Sequence, residues 1–349
     1  MNLSDFGVSG GRRKTLVILG AGASRGARFV TDLTKPLPPL DLDFFQQLAR
    51  MAECTESRRL LEFIRSEYQH EVGLSMEQFF SEADYTDRFH HDLNVDRGPL
   101  VGRYGRALDD FLSVLPRMLE QTTCGACSHH EAIASRLHVQ DCIISFNYDC
   151  VMDRSLRDHA NLRWDPEKLA YGFQVTSGAP SWRKHSQGRP SDSSIRLLKM
   201  HGSQNWRRRS ADAWELVADT STVASLKNVI IPPTWFKNLT VFPFDEVWKA
   251  ARKEVRGSRI IVVIGYSVPQ TDLFSRSLLK VEAGSKGKRE RLDLLVLVNP
   301  DERARRLFIE LIREGLEPST RILEYRYLED LAVVLNRNSA GVAEGAEAS

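Results

Sequence analysis

The 349-residue sequence predicts an α/β fold, a doubly wound, mostly parallel Rossmann-like sheet with a large helical insertion. Three observations lead there. First, short apolar runs in TLVILGAGAS (15–24), DCIISFNYD (141–149) and IRLLKMHGSQNW (195–206) each stop at residues able to do chemistry. Such runs suit buried parallel strands that deliver side chains to the carboxyl edge of a sheet, where open α/β folds bind ligands. Second, the last third of the chain alternates strand-like and helix-like segments, the mark of a parallel, doubly wound sheet. Third, roughly 90 residues at helical spacing separate the first strand from the second, where a βαβ unit needs only about 30.

Composition sets the bounds. The length suffices for one large domain or two modest ones, and a formal charge of +2 argues neither for nor against nucleic acid. Five cysteines scattered through a long chain do not resemble a disulfide framework and point to a reducing compartment. No apolar run approaches the roughly 20 residues of a membrane span. The first residues, MNLSDFGVSGGRRK, lack the apolar core of a signal peptide. A cytoplasmic protein is the expectation.

In chain order, residues 1–14 form a lead-in and Thr15 to Leu19 the first strand. Gly20-Ala21-Gly22-Ala23-Ser24 then turns the chain sharply; glycines there suit either a tight turn or a close approach to a pyrophosphate. PLPP (36–39) breaks the chain. DLDFFQQLARMAE, ESRRLLEFIRSEY, SMEQFFSEADY and ALDDFLSVLPRMLEQ follow, each with apolar residues at helical spacing. Together they make an insertion of about 40–136 packed beside the sheet. Cys124 and Cys127 with His129 and His130 lack the second ligand pair of a structural zinc site, so a loop with incidental thiols is the simpler reading and no metal is expected.

Cys142 to Phe146 is the central strand, and Asp149 to Ala160 a helix. Residues 161–194 are polar and rich in Gly, Pro and Ser, a long loop or small excursion. Ile195 to Met200 is the next strand, ending in His201-Gly202-Ser203, with Arg207, Arg208 and Arg209 read as a solvated turn. Beyond it lie a short strand at Val229 to Pro232, a helix at Asp245 to Val255, and a strand at Ile260 to Ile264 ending in Gly265-Tyr266-Ser267-Val268-Pro269. A helix at Asp272 to Val281 leads past the basic cluster Lys286 to Arg291 to a strand at Leu292 to Val298, ending in Asn299-Pro300-Asp301. Glu302 to Glu314 is an amphipathic helix, Arg321 to Tyr325 a final strand and Leu328 to Leu335 a closing helix; residues 339–349 have nothing to bury and should be disordered.

The polar strand ends suggest their own chemistry. Asn147 can both donate and accept hydrogen bonds, so it can order a water or a sugar hydroxyl without adding charge. Asp149 can steady a developing cation or cap the helix beginning beside it. His201, at a strand's carboxyl end in company with two other such ends, is read as a base whose ordinary pKa lies near the working pH, against the plainer reading of a satisfied core histidine.

Taken in order, GAGAS, FNYD, HGSQNW, GYSVPQTD and VNPD resemble the sirtuin-like NAD-processing proteins of prokaryotes, closest to the branch found in antiphage defence. The resemblance covers roughly residues 14–301 of a single α/β domain set at 15–338, and rests on the order and spacing of five short motifs. It implies NAD+ as substrate. Gly20, Ala21, Gly22 and Ser24 match the turn that holds the NAD phosphates in that family. Asn147 and Asp149 match the Asn-x-Asp by the nicotinamide ribose, and His201 the catalytic histidine. Gly265 and Ser267 match the turn near the phosphates and adenosine ribose, and Asn299 the asparagine that contacts that ribose. Two departures stand out. The paired zinc cysteines of the deacylases are absent, and the Gly-Ile-Pro-Asp-Phe-Arg loop does not follow GAGAS, with Asp43 and Phe44 as its partial replacement.

Three functions fit. The first is an NAD+ glycohydrolase releasing nicotinamide and ADP-ribose, a hydrolase depleting NAD+ in antiviral defence; the missing zinc module favours it. The second is an NAD-dependent deacylase or ADP-ribosyltransferase, and the third a non-catalytic NAD or ADP-ribose sensor. A plain dehydrogenase would leave FNYD and HGSQNW unexplained. Control by assembly is expected, through a homo-oligomer or a separately encoded partner such as a ring-forming ATPase, with no membrane and nucleic acid involved only indirectly.

Overall fold

Three strands, β1 (Thr15–Leu19), β6 (Ile260–Ile264) and β7 (Leu294–Val298), are buried at all five positions in the computed structural model. Their sequences, TLVIL, IIVVI and LLVLV, carry no alternation because both faces of a central parallel strand are covered. They form the middle of a six-stranded sheet completed by β2 (Cys142–Ser145), β3 (Arg196–Lys199) and β8 (Arg321–Tyr325), in the order β3-β2-β1-β6-β7-β8. Every pairing is parallel, with Leu16 opposite Cys142, Cys142 opposite Arg196, Thr15 opposite Ile260 and Ile260 opposite Leu294. The chain passes from β1 to β2 on one side and returns on the other at β6, which puts the topological switch point, the expected ligand crevice, between β1 and β6. The doubly wound α/β class is thus as expected. The description covers residues 13–27, 34–51, 54–69, 73–92, 99–160, 163–176, 182, 194–232, 239–270, 272–284 and 290–343. Most of the lead-in, much of the 161–194 loop, most of the Lys286–Arg291 cluster and the end of the tail lie outside these residues.

The segment between β1 and β2 is helical: α1 (Ala21–Arg25), α2 (Phe44–Leu48), α3 (Thr55–Glu67), α4 (Met76–Asp92), α5 (Pro99–Thr123) and α6 (Ser128–Ala134). Phe44, Phe63, Tyr68, Phe79, Phe80 and Phe111 pack edge-on or tilted within it, an aromatic cluster continuous with the core of the sheet. Inside α5 sits Pro116, which has no N–H for the carbonyl of Leu112. The amide of Leu226 takes that carbonyl at 3.0 Å, and Gln204 Nε2 donates to the carbonyl of Pro116 at 3.1 Å. The carbonyls freed around Pro116 therefore dock the insertion on the chain that follows His201.

Two expectations fail after β3. Val229 to Pro232 is not a strand: Ile230 makes only an isolated antiparallel bridge to Gly202, because Pro232 and Pro233 supply no N–H with which to extend it. The arginine turn is instead part of a hairpin, β4 (Trp206–Arg208) paired antiparallel with β5 (Trp214–Leu216). Before β3 lies α7 (Val151–His159), and beyond the hairpin α8 (Phe244–Gly257), α9 (Leu273–Leu278), α10 (Glu302–Ile312) and α11 (Leu328–Ala343), close to the expected helices. α11 continues eight residues past its expected end, so 339–343 are helical rather than part of a disordered tail. Among the described residues no helix is long and apolar enough to cross a membrane.

Candidate active site at the carboxyl edge of the sheet

The turn after β1 is pressed against the turn after β6. Gly20 N donates to Ile264 O and Gly22 N to Gly265 O, both at 3.0 Å, and Ala23 N to Gly20 O at 2.9 Å. A Cβ on Gly20 would stand 2.5 Å from the Gly265 carbonyl oxygen, and one on Gly22 2.8 Å from the Gly265 Cα. Gly265 itself has φ +62°, the left-handed region. Both glycines are thus required by the approach of two backbones at the switch point, and three of the turn's amides are already spent within the protein. Ala21 is exposed on this turn and Ser24 is buried.

The end of β2 joins the same place. Asn147 Nδ2 donates to the carbonyl of Gly20 at 2.9 Å and to Ser24 Oγ at 3.2 Å. The Ser24 hydroxyl donates to Asp149 Oδ2 at 2.6 Å, while Asp149 Oδ1 accepts the amide of Val151 at 3.0 Å. Asp149 therefore both starts α7 and fixes Ser24. These bonds join residues more than 120 positions apart into one rigid corner of buried groups.

His201 is held by its backbone and its neighbours. Its carbonyl accepts the amide of Ile231 at 2.8 Å, and Trp248 Nε1 donates to the carbonyl of Met200 at 3.1 Å. Gly202, at φ +90°, has no room for a side chain, since a Cβ would fall 2.3 Å from the Val229 carbonyl oxygen. The imidazole, 8% exposed, lies beside Phe146, ring centroids 5.5 Å apart, and Phe146 in turn stacks on Tyr266 at 4.5 Å. Asp272 Oδ2 stands 3.6 Å from His201 Nε2. The side chain of Asn299 reaches the carbonyl of Tyr266 at 3.4 Å, tying the end of β7 to the turn after β6, and Ser267 is exposed on that turn. Val268, β-branched yet at φ +55°, stores strain in the same loop.

All the residues singled out from the sequence except Ala21 and Ser267 are therefore linked at one edge by hydrogen bonds or ring and backbone contacts. Asp272 was missed, although it stands in the GYSVPQTD motif; an Asp before LFS reads as a helix cap, and it does cap α9 through Ser275. A second omission lies under the site. Lys199, fully buried, donates to the carbonyl of Asp149 and faces Asp153 Oδ2 at 3.4 Å. Asp153 Oδ1 accepts from Tyr171 Oη at 2.6 Å and from Asn205 Nδ2 at 3.2 Å. Burial works to lower the Lys199 pKa, but Asp153, Cys150 and Asp149 together carry it above its ordinary value, so the ammonium stays charged.

Asp43 forms a bidentate ion pair with Arg25 at the end of the glycine-rich turn, whereas Phe44 is committed to the insertion's core. Cys124 is exposed; Cys127 is buried with Sγ 3.0 Å from His130 Nδ1. Burial pushes the Cys127 thiol up and the His130 imidazole down to about 4. Among the described residues no group of three or more His, Cys, Asp or Glu is arranged to hold a metal ion.

Comparison with protein-family models found no match, and comparison with curated proteins found none either. Among solved structures, two substituted forms of a Sir2 homologue in complex with ADP-ribose are similar at 14% and 13% identity, covering 95% of this chain and 94% of the other, with a TM-score of 0.44. A structure described as the structural basis of sirtuin substrate affinity is similar at 14% identity over 93% of each chain, TM-score 0.39. The sheet topology itself, rather than these likenesses, defines the fold class.

Proposed function

We propose that the chain is a sirtuin-like NAD+ glycohydrolase, hydrolysing NAD+ to nicotinamide and ADP-ribose. One observation carries the reading: Asn147 bonds at once to Gly20 and Ser24 of the glycine-rich turn, while the adjacent Phe146 packs on His201. The groups needed for the pyrophosphate, the ribose and the proton thus share one corner of the sheet edge. Breaking the bond between ribose and nicotinamide builds positive charge at the anomeric carbon, as in glycoside hydrolysis. Nicotinamide leaves from a pyridinium as a neutral molecule, so its departure needs no general acid. Water supplies the new C–O bond, and its surplus proton goes to a base.

His201 suits that base, acting on the water or on a ribose hydroxyl, with the Asp272 carboxylate beside the imidazole. Asn147 orders the sugar or water by its amide. Asp149, held by Ser24, brings a carboxylate to the same corner as the developing cation. The aromatic pair Phe146 and Tyr266 excludes water from the rest of the site.

The resemblance that the five motifs carry to the antiphage-defence branch supports a role in such defence, in which triggered loss of NAD+ stops the infected cell. The enzyme then has to be restrained until needed, and assembly with like subunits or a ring-forming ATPase through the helical insertion supplies that control.

Nicotinamide release from NAD+ by the purified chain tests the activity, beside Asn147→Ala and His201→Ala, with and without an acetyl-lysine peptide. Release without peptide that both substitutions abolish is expected. Release only with peptide identifies a deacylase, and binding of NAD+ without release a sensor. A monomeric chain that is fully active alone would overturn control by assembly.

A further inference from the structure

Beyond the His201 turn, the β4–β5 hairpin and residues 222–229 enclose a cleft of about 570 Å³. Arg207, Arg208, Arg209 and Lys227 are four of its fourteen lining residues, and none of the fourteen is acidic. Three of these four cations are paired with carboxylates outside the lining. Glu215 is shared by two guanidiniums, Arg207 at 3.3 Å and Arg209 at 2.7 Å, and Lys227 is matched by Asp109 at 2.7 Å. Arg208 donates through Nε to the carbonyl of Ser210 at 3.1 Å, and among the described residues no carboxylate pairs with it. Arg208 is thus the one of the four cations with no carboxylate partner among the described residues.

Strand geometry explains why Arg208 stands apart. Arg207 is opposite Glu215 in the hairpin register and Arg208 opposite Trp214, so the shared carboxylate lies on one face and Arg208 on the other. Successive like charges on a hairpin repel one another, and among the described residues Arg208 is met only by the Ser210 carbonyl. Its exposed guanidinium keeps donors in the planar fork that fits two oxygens of a phosphate. The cleft's volume falls within the range of small-ligand sites. Its wall includes Asn228, held at φ +67°, and Val229, whose carbonyl closes on Gly202. The cleft adjoins the strand end that bears His201 without sharing the residues of the carboxyl-edge corner.

We propose that this cleft binds a phosphate-bearing anion through Arg208, the phosphate belonging either to a free nucleotide or to the backbone of a single-stranded nucleic acid. The inference stands independently of the proposed glycohydrolase activity.

Fluorescence anisotropy of the full chain with two probes tests it: a labelled oligothymidylate and a labelled ADP, each at 50 and 200 mM salt. Arg208→Ala is expected to weaken binding about tenfold, and Arg208→Glu more, as for loss of a charge-assisted hydrogen bond. Added salt should weaken the affinity. Because Arg208 is exposed, melting temperatures of both Arg208 variants should match that of the parent. Binding of the oligonucleotide alone assigns the phosphate to nucleic acid; binding of ADP that depends on Arg208 assigns it to a nucleotide. Absence of binding by either probe at 50 mM salt would overturn the proposal, as would affinities unchanged in Arg208→Glu. ADP binding lost in Asn147→Ala yet kept in Arg208→Glu would also overturn it, and would place the nucleotide at the carboxyl edge instead.

Discussion

Asp272 Oδ2 lies 3.6 Å from His201 Nε2, although His201 follows β3 and Asp272 stands at the start of α9, after β6. Asp272 is 4% exposed and is also the cap of α9, its carboxylate engaged by Ser275. A carboxylate so placed stabilises the imidazolium formed when the ring takes a proton.

Asp272→Asn separates the two roles. Asparagine caps a helix as well as aspartate does, so stability should change by less than about 1 kcal/mol. The charge beside His201 is lost, and nicotinamide release should fall about 10- to 100-fold in kcat with little change in KM. Steady-state kinetics and thermal melting on one preparation check both. An unchanged kcat would reduce Asp272 to a helix cap.

Gly20 and Gly102 make opposite predictions for the same substitution. Gly20→Ala puts a methyl 2.5 Å from the Gly265 carbonyl oxygen and 2.6 Å from the Tyr266 Cα, both backbone atoms, so the two turns must part. A loss of about 3 kcal/mol or more is expected, with loss of activity. Gly102, within α5, has open space at its Cβ; Gly102→Ala should stabilise by about 0.5–1 kcal/mol. Denaturant unfolding of both variants reads the two signs directly.

What the sequence discloses is what local pattern determines. TLVIL, IIVVI and LLVLV are apolar throughout because both faces are covered, and each is a central strand. GAGAS, FNYD and HGS follow such strands, so their meeting at one edge follows from the topology. Pattern fails where pairing is distant or brief. Val229-Ile230-Ile231 looks like a strand but meets two prolines. The hairpin strands Trp206–Arg208 and Trp214–Leu216 are three residues each, too short to show a period. Lys199 at the end of a strand reads as a residue reaching for water; its partner Asp153 lies 46 positions away and is visible only in space.

That buried pair yields a further expectation. Lys199 is 1% exposed and Asp153 0%, with Tyr171 and Asn205 completing the network. Lys199→Met keeps the volume but leaves the carboxylate with only neutral donors. Removing one partner of a buried pair costs about 3–5 kcal/mol. Lys199→Met with Asp153→Asn should recover a large part of that loss, because no charge then remains buried. Urea unfolding of both variants checks it; a double variant no better than Lys199→Met would mean that packing, rather than charge, holds this corner.

His130 makes stability depend on pH. It is 1% exposed, bonded through Nδ1 to Cys127 Sγ at 3.0 Å, and burial lowers its pKa from 6.5 to about 4 against the opposing pull of Asp149. Between these values the unfolded chain binds a proton that the folded chain refuses. Unfolding is therefore favoured as pH falls: the contribution of the neutral, buried imidazole is fully present above about pH 6.5 and is lost progressively towards pH 4. At about 1.4 kcal/mol per pH unit, the folded protein should lose about 2–3 kcal/mol from this group between pH 6.5 and 4.5. His130→Asn keeps a polar group near the thiol but cannot titrate in this range. Its stability should start lower at pH 7 and fall less steeply towards pH 4.5, so that the two curves converge on acidification. Urea unfolding at half-unit intervals measures both slopes. Parallel curves would show that His130 is charged in the fold, with Asp149 outweighing the cost of burial.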